Sequence, residues 1–140
     1  MSRIFWDTNL FIYFLEGNDE LSLATKQLRK SMLERGDQLL TSALTLGEIL
    51  VKPLDRGDVA LCRKYEDVIG KTALLLSFDA KAAWKYAAIR CDRSLRAPDA
   101  VQLACAASAG VDLFVTNDAR LQGKHVPGIQ FIVPLERAPI

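Results

Sequence analysis

Four acidic residues, Asp7, Glu48, Asp99 and Asp118, are the side chains of this sequence best placed to do chemistry together. Asp7 follows the short apolar run Arg3-Ile-Phe-Trp6, and Asp118 lies two residues past Thr116, where a second apolar run ends. Asp99 falls in the first turn of a helix opened by Ala97-Pro98, and Glu48 falls inside a helix that follows Gln38 to Ser42. Singly, each has a plain structural explanation. Asp7 and Asp118 suit Asx turns or helix caps, Asp99 complements a helix dipole, and Glu48 suits a solvated helix face. Jointly, three of the four fall at element junctions near one edge of a sheet, and parallel sheets bind ligands beyond the carboxyl ends of their strands.

Crowded carboxylates repel one another unless a cation or protons neutralise them. Donors that are all oxygen, with no His or Cys nearby, favour Mg²⁺ or Mn²⁺ over zinc. Such an ion clamps phosphate oxygens and acidifies bound water, which is the chemistry of phosphodiester hydrolysis. His125, the sole histidine, follows Gly123-Lys124 in an expected loop and reads as a surface residue. No serine–histidine or cysteine–histidine mechanism is therefore easy to assemble. A phosphatase with an aspartate nucleophile would need a second acid two residues after the first, where Asn9 stands. A dinucleotide site would need a G-x-G-x-x-G after the first strand, and there is none.

The elements that must position these acids follow from pattern and punctuation. Strands are expected at 3–6, 38–42, 73–78, 112–116 and 129–133, each a short apolar run bounded by turn residues. Leu10 to Leu15 has helical spacing up to Gly17, and 19–35 reads as an amphipathic helix ending at Gly36. In it, Leu21, Leu28 and Met32 face inward, while Lys26, Arg29, Lys30 and Arg35 face outward. Ser42 caps a helix from Ala43 to Val51 that Lys52-Pro53 breaks. Further helices are expected from Val59 to Ile69, from Ala80 to about Arg93 after the cap Asp79, and through Ala109 with Gly110 as the stop. Strands without visible alternation, separated by helices, predict a five-stranded, mostly parallel α/β sheet with helices on both faces.

A chain of 140 residues, half of them apolar, suits one domain over 1–140 without repeats or linkers. A formal charge of +1 gives no global signature of a polyanion partner, so attraction to nucleic acid would come from local basic residues or bound cations. Cys62, Cys91 and Cys105 are widely spaced and form no CxxC pair, which fits a reducing cytoplasm, with Cys105 as a small buried hydrophobe. No signal peptide or membrane-spanning run is visible.

In order and spacing, Phe5-Trp-Asp-Thr-Asn9, Ser42-Ala-Leu-Thr-Leu-Gly-Glu48, Ala97-Pro-Asp-Ala-Val-Gln-Leu-Ala-Cys-Ala106 and Val115-Thr-Asn-Asp118 resemble the PIN domain family, particularly its small bacterial toxins of the VapC type. The resemblance covers essentially the whole chain. It implies a parallel α/β sandwich and Mg²⁺- or Mn²⁺-dependent endoribonuclease activity. It further implies that Asp7, Asp99 and Asp118 ligate metal and that Glu48 completes the cluster through water or a second ion. Asn9 would then hydrogen-bond and orient the first acid, and Thr116 would support the last loop.

The same resemblance implies a homodimer held inactive by a small cognate antitoxin. The segment 19–35 or 52–69 would offer the surface for it. Leu121 departs from the family by standing where an aromatic residue is common, a matter of packing more than chemistry. Among the basic residues near the acids, Arg96 and Arg120 are the candidates for RNA phosphate contacts, with Arg90 and Arg93 beside Arg96 in sequence. The competing reading is a catalytically inactive PIN-like module that binds RNA or protein; all four acids being present weighs against it.

Overall fold

Five short strands, β1 (Arg3–Trp6), β2 (Gln38–Ser42), β3 (Leu74–Leu76), β4 (Val111–Val115) and β5 (Ile129–Val133), pair in the order β3-β2-β1-β4-β5 with every pairing parallel. The computed structural model describes residues 1–139, so the last residue of the expected 1–140 span lies outside the described residues. Six helices connect or flank the strands: α1 (Thr8–Glu16), α2 (Glu20–Arg35), α3 (Ala43–Asp55), α4 (Val59–Thr72), α5 (Ala80–Ile89) and α6 (Ala97–Ala109). The expected α/β class and five-stranded parallel sheet are what the chain forms. Among the described residues no helix is long and apolar enough to cross a membrane.

The chain enters the sheet at its centre, winds outward to β3, then returns to β4 on the other side of β1. That reversal makes the carboxyl ends of β1 and β4 a topological switch point, where open α/β sheets form their ligand crevices. Side chains alternate along β1 between two apolar layers. Ile4 and Trp6 join Leu10, Phe11, Leu28, Met32 and Ile49 on one face. Phe5 joins Leu40, Leu103, Phe114 and Ile129 on the other, its ring stacked on Phe114 at 4.9 Å. Burying each of the largest of these side chains stabilises the fold by roughly 1.5–3 kcal/mol, so both ends of β1 are held firmly.

Small residues set the distance between α6 and the sheet. Ala100, Ala104, Ala106 and Ala107 are buried, as is Cys105, whose thiol burial pushes up to about 11. Gly128, with φ +102, lets the turn before β5 pass the end of this helix. A Cβ there would lie 2.5 Å from the Ala107 carbonyl oxygen.

Several expected boundaries move, each for a physical reason. Pro53 does not end α3, which continues to Asp55. The ring is buried, and the carbonyls of Lys52, Pro53 and Leu54 still accept from Arg56, Asp58 and Gly57. Strand β3 keeps only Leu74–Leu76 of the expected 73–78, because Ala73 caps α4 and Asp79 already caps α5. Helix α5 stops at Ile89. Beyond it, Asp92 accepts from the Ser94 backbone, the Ser94 hydroxyl and Lys124, local bonds that compete with another helical turn.

Helix α2 buries Leu28 and Met32 of its expected stripe but not Leu21. Leu21 is exposed, while Ser22 and Thr25 are buried with their hydroxyls bonded to the carbonyls of Gly17 and Leu21. Arg29 is half-buried rather than outward.

Candidate active site

Asp7 sits where β1 becomes α1. Its backbone N–H bonds the Val115 carbonyl at 3.0 Å, locking the end of β1 to β4, and its side chain caps α1 by accepting from the Thr8 N–H at 2.9 Å. The carboxylate is 8% exposed. Its other oxygen accepts the Thr116 hydroxyl at 2.7 Å, and Gln102 Nε2 approaches the first at 3.4 Å. Burial pushes this carboxyl above the usual carboxylate range; bonds from Thr116 and Thr8 oppose the rise, and the charges of Asp99 and Glu48 add to it.

Asp99 projects from the first turn of α6, and Asp118 starts the short 3₁₀ turn Ala119–Leu121 that follows β4. Burial raises Asp99 against the opposing charge of Arg120, with Asp118 adding to the rise and Arg96 subtracting from it. Asp118 is held below the usual range, chiefly by hydrogen bonds from the Arg120 side chain. Glu48, exposed on α3, is positioned from outside its own helix: its Oε1 accepts the Thr8 hydroxyl at 2.6 Å. One open cleft of about 410 Å³ is lined by all four acids and by Arg96 and Arg120. The residues singled out from sequence therefore come together, from four separated stretches of chain.

One positioning role differs from expectation, while Thr116 supports the last loop as expected. Asn9 does not bond Asp7; its Nδ2 reaches the Thr116 hydroxyl at 3.3 Å and its Oδ1 accepts the Asn117 N–H at 3.3 Å. Thr116 is the residue that bonds the first acid, and its hydroxyl also accepts the Asp118 N–H at 3.0 Å. The reason is burial. Thr116 is fully buried just past β4, and its single hydroxyl proton goes to the buried carboxylate, while Asn9 is engaged by Thr116 and Asn117.

Sequence reasoning gave no role to Gln102, which is buried at the centre of the cluster. Its Nε2 lies 2.7 Å from the Thr45 hydroxyl and 3.0 Å from that of Thr8, and its Oε1 accepts the Ser42 hydroxyl. Gln102 thus ties α6 to α3 and, through Thr8, to Glu48. Its spacing of three from Asp99 on one helix face was the available signal. Of the other arginines, Arg90 turns away to the hydroxyl of Tyr86 at 3.1 Å, and neither it nor Arg93 lines the cleft.

The donor set is oxygen only, and two of the acids, Asp7 and Asp99, are raised by burial and by the charges of neighbouring acids. Both features suit a hard divalent cation. In the present arrangement the acids are spread along the cleft: among the described residues no three Asp, Glu, His or Cys side chains converge as a ligand group. Between Asp99 and Asp118 the positive charge is that of Arg120, whose Nη2 lies 3.6 Å from Asp99 Oδ2 and contacts Asp118 Oδ2, while Nε is 3.0 Å from Asp118 Oδ1. Arg96 is more distant, its Nε 3.9 Å from Asp99.

Comparison with known proteins follows the same outline. The family model described as the PIN domain matches residues 4–125. No curated protein sequence matches the chain. Among solved structures, the chain resembles VapBC2 from Rickettsia felis, bound to a DNA fragment from its promoter, with TM-score 0.70 and 16% identity over 94% of this chain and 98% of the other. It also resembles DNA-bound VapBC from Salmonella typhimurium, with TM-score 0.70 and 20% identity over 96% and 99% of the two chains. A third is VapBC-5 from Mycobacterium tuberculosis, with TM-score 0.62 and 21% identity over 95% and 99%. At these identities the likeness is one of fold.

Proposed function

The chain belongs to the PIN domain family, and from that premise we propose that it is a Mg²⁺- or Mn²⁺-dependent endoribonuclease, restrained in the cell by a small partner protein. The observation that carries the proposal is the meeting of Asp7, Asp99, Asp118 and Glu48 in one open cleft at the switch point of the sheet. Asp7, Asp99 and Asp118 would hold the cation, with Glu48 at the edge of the set. When bound, the cation supplies positive charge to phosphate oxygens and acidity to the attacking water.

The chain's own residues do the rest. Thr116 and the Thr8 N–H fix both oxygens of Asp7, so the carboxylate is presented in one orientation. Gln102 holds Thr8, and Thr8 holds Glu48, so the outermost acid is steered through two hydrogen bonds from a buried amide. Arg96 and Arg120, both exposed at the rim, supply cationic groups for the phosphates of a single strand.

The partner reading rests on the neighbours being toxin–antitoxin complexes and on apolar side chains left exposed on the helices. Leu21, Leu23 and Leu33 on α2, and Val51, Leu54 and Val59 near the α3–α4 turn, form such surface. The first of these groups lies within the 19–35 segment, while Val51 lies just before 52–69. A homodimer is part of the same proposal.

The test of the reaction compares substrates. Purified protein is incubated with single-stranded RNA and with single-stranded DNA of the same sequence, in Mn²⁺ or in EDTA. RNA cut in Mn²⁺ and left intact in EDTA, with DNA spared, is the expected result. RNA intact under all conditions contradicts it and leaves a binding module.

A further inference from the structure

We propose that Arg120 is a built-in counter-ion of the active site, which occupies the Asp99–Asp118 pair in the cation-free protein and is exchanged for the divalent cation when the site loads. The proposal rests on the reading above that this cleft binds a divalent cation, and deepens it by naming what must leave.

The geometry is that of a fork closed on two acids. Arg120 Nε and Nη2 engage the two oxygens of Asp118, and the same Nη2 faces Asp99 Oδ2 at 3.6 Å. One guanidinium nitrogen thus claims an oxygen of each carboxylate. A planar, permanently charged group that binds carboxylates in pairs is the side chain best able to stand in for a cation there. The fork neutralises only half of the cluster. Asp7 is held by neutral donors, Thr116, the Thr8 N–H and Gln102, and Glu48 by the Thr8 hydroxyl.

Release needs no unfolding. The Arg120 side chain is 45% exposed and stands at the rim. Asp118 keeps its place when the fork opens, because its N–H is fixed on the Thr116 hydroxyl and its Oδ1 also accepts the Arg120 backbone N–H at 3.0 Å. The freed guanidinium remains tethered two residues from Asp118, within the cleft where a phosphate would lie. Arg96 has no comparable fork: a single long contact of 3.9 Å to Asp99 is all it makes with the cluster.

The experiment measures cation binding rather than turnover. Mn²⁺ affinity is determined by calorimetry for the full chain, for Arg120→Gln and for Arg96→Gln. In parallel, the Arg120 Nε–H signal of the unmodified protein is followed by NMR during a Mg²⁺ titration. Arg120→Gln is expected to bind Mn²⁺ roughly fivefold more tightly, as the loss of a partly exposed bidentate competitor implies. Arg96→Gln, which removes the same charge without a fork, is expected to change it by less than about twofold. The Arg120 signal is expected to move as the site fills.

Equal effects from the two variants, no gain from Arg120→Gln, or an Arg120 signal unmoved at saturating Mg²⁺ each overturn the exchange while the cation site stands. Failure of all three folded proteins to take up Mn²⁺ overturns the site and the exchange together. The titration of the unmodified protein does not depend on any variant folding.

Discussion

The hydroxyl of Thr116 donates to Oδ2 of Asp7 at 2.7 Å, across a sequence separation of 109 residues. The Thr116 hydroxyl oxygen also accepts the N–H of Asp118 at 3.0 Å, so a single side chain sets the relative position of the first and last acids. Replacing Thr116 with Val keeps the shape and removes both functions. The expected cost is about 1–3 kcal/mol of stability, that of a buried carboxylate left short of a donor. Mn²⁺ affinity should fall by roughly 10–100-fold, as is usual when a ligand loses its support. Thr116→Ser should restore most of both, as read by denaturant unfolding and calorimetry.

Asp7 makes the metal-free protein sensitive to pH. In the unfolded chain its carboxyl titrates near 3.8, and in the folded chain it titrates higher. Between those points the folded state binds more protons, so the contribution of Asp7 to stability is present at low pH and is lost as pH rises through the window above 3.8. Asp7→Asn lacks that loss. In EDTA at neutral pH it is expected to unfold at a temperature a few degrees above the unmodified protein, and the gap should close as pH falls toward the carboxylate range. Thermal unfolding across pH checks both statements. A variant less stable than the unmodified protein throughout would contradict them.

Gln102 is predicted to matter twice. Gln102→Leu leaves the hydroxyls of Ser42, Thr45 and Thr8 without their buried partner, at about 1–3 kcal/mol by unfolding measurements. It also frees Thr8, and with it Glu48, so cleavage at limiting Mn²⁺ should fall further than cleavage at saturating Mn²⁺. A purely structural role would lower both equally.

Thr8→Val isolates the second effect. Thr8 is the residue that bonds Glu48, and its replacement removes that bond while Gln102 Nε2, which also donates to Thr8, keeps its bond to Thr45. Stability should change by less than for Gln102→Leu, by about 1 kcal/mol, since the Thr8–Glu48 bond is exposed and Gln102 keeps Thr45. The Mn²⁺ concentration needed for half-maximal cleavage should rise. An unchanged Mn²⁺ dependence would place Glu48 outside the cation's reach.

Much of the fold is legible in the sequence because its strands are apolar runs closed by strong turn signals. Strands β1, β2 and β5 begin and end where Asp7, Ser42, Gly128 and Pro134 say they should. Pro53 misleads because its neighbours' carbonyls find acceptable donors beyond it, which no local pattern announces. Helix α2 misleads only at its first turns, because the hydroxyls of Ser22 and Thr25, bonded to the carbonyls of Gly17 and Leu21, can be buried in place of Leu21. The acids themselves were readable as a set, since Asp7, Asp99 and Asp118 lie at element ends whose positions the pattern fixes and Glu48 lies in the helix that Ser42 caps. Their supports were not. Whether Asn9 or Thr116 reaches Asp7, and that Gln102 links the helices, depends on the separation of β1 from β4 and of α3 from α6. Those distances follow from packing, above all from the alanines of α6. Arg120 was legible as a cation near Asp118, and its grip on Asp99 as well required the fold.

The most direct test of the carboxylate mechanism is cleavage of single-stranded RNA in Mn²⁺ by the unmodified protein, Asp7→Asn and Asp99→Asn, each shown to be folded. Cleavage reduced at least about 100-fold in both variants is predicted, in line with removal of groups that act as one unit. Cleavage that persists at the unmodified rate in both folded variants would contradict it.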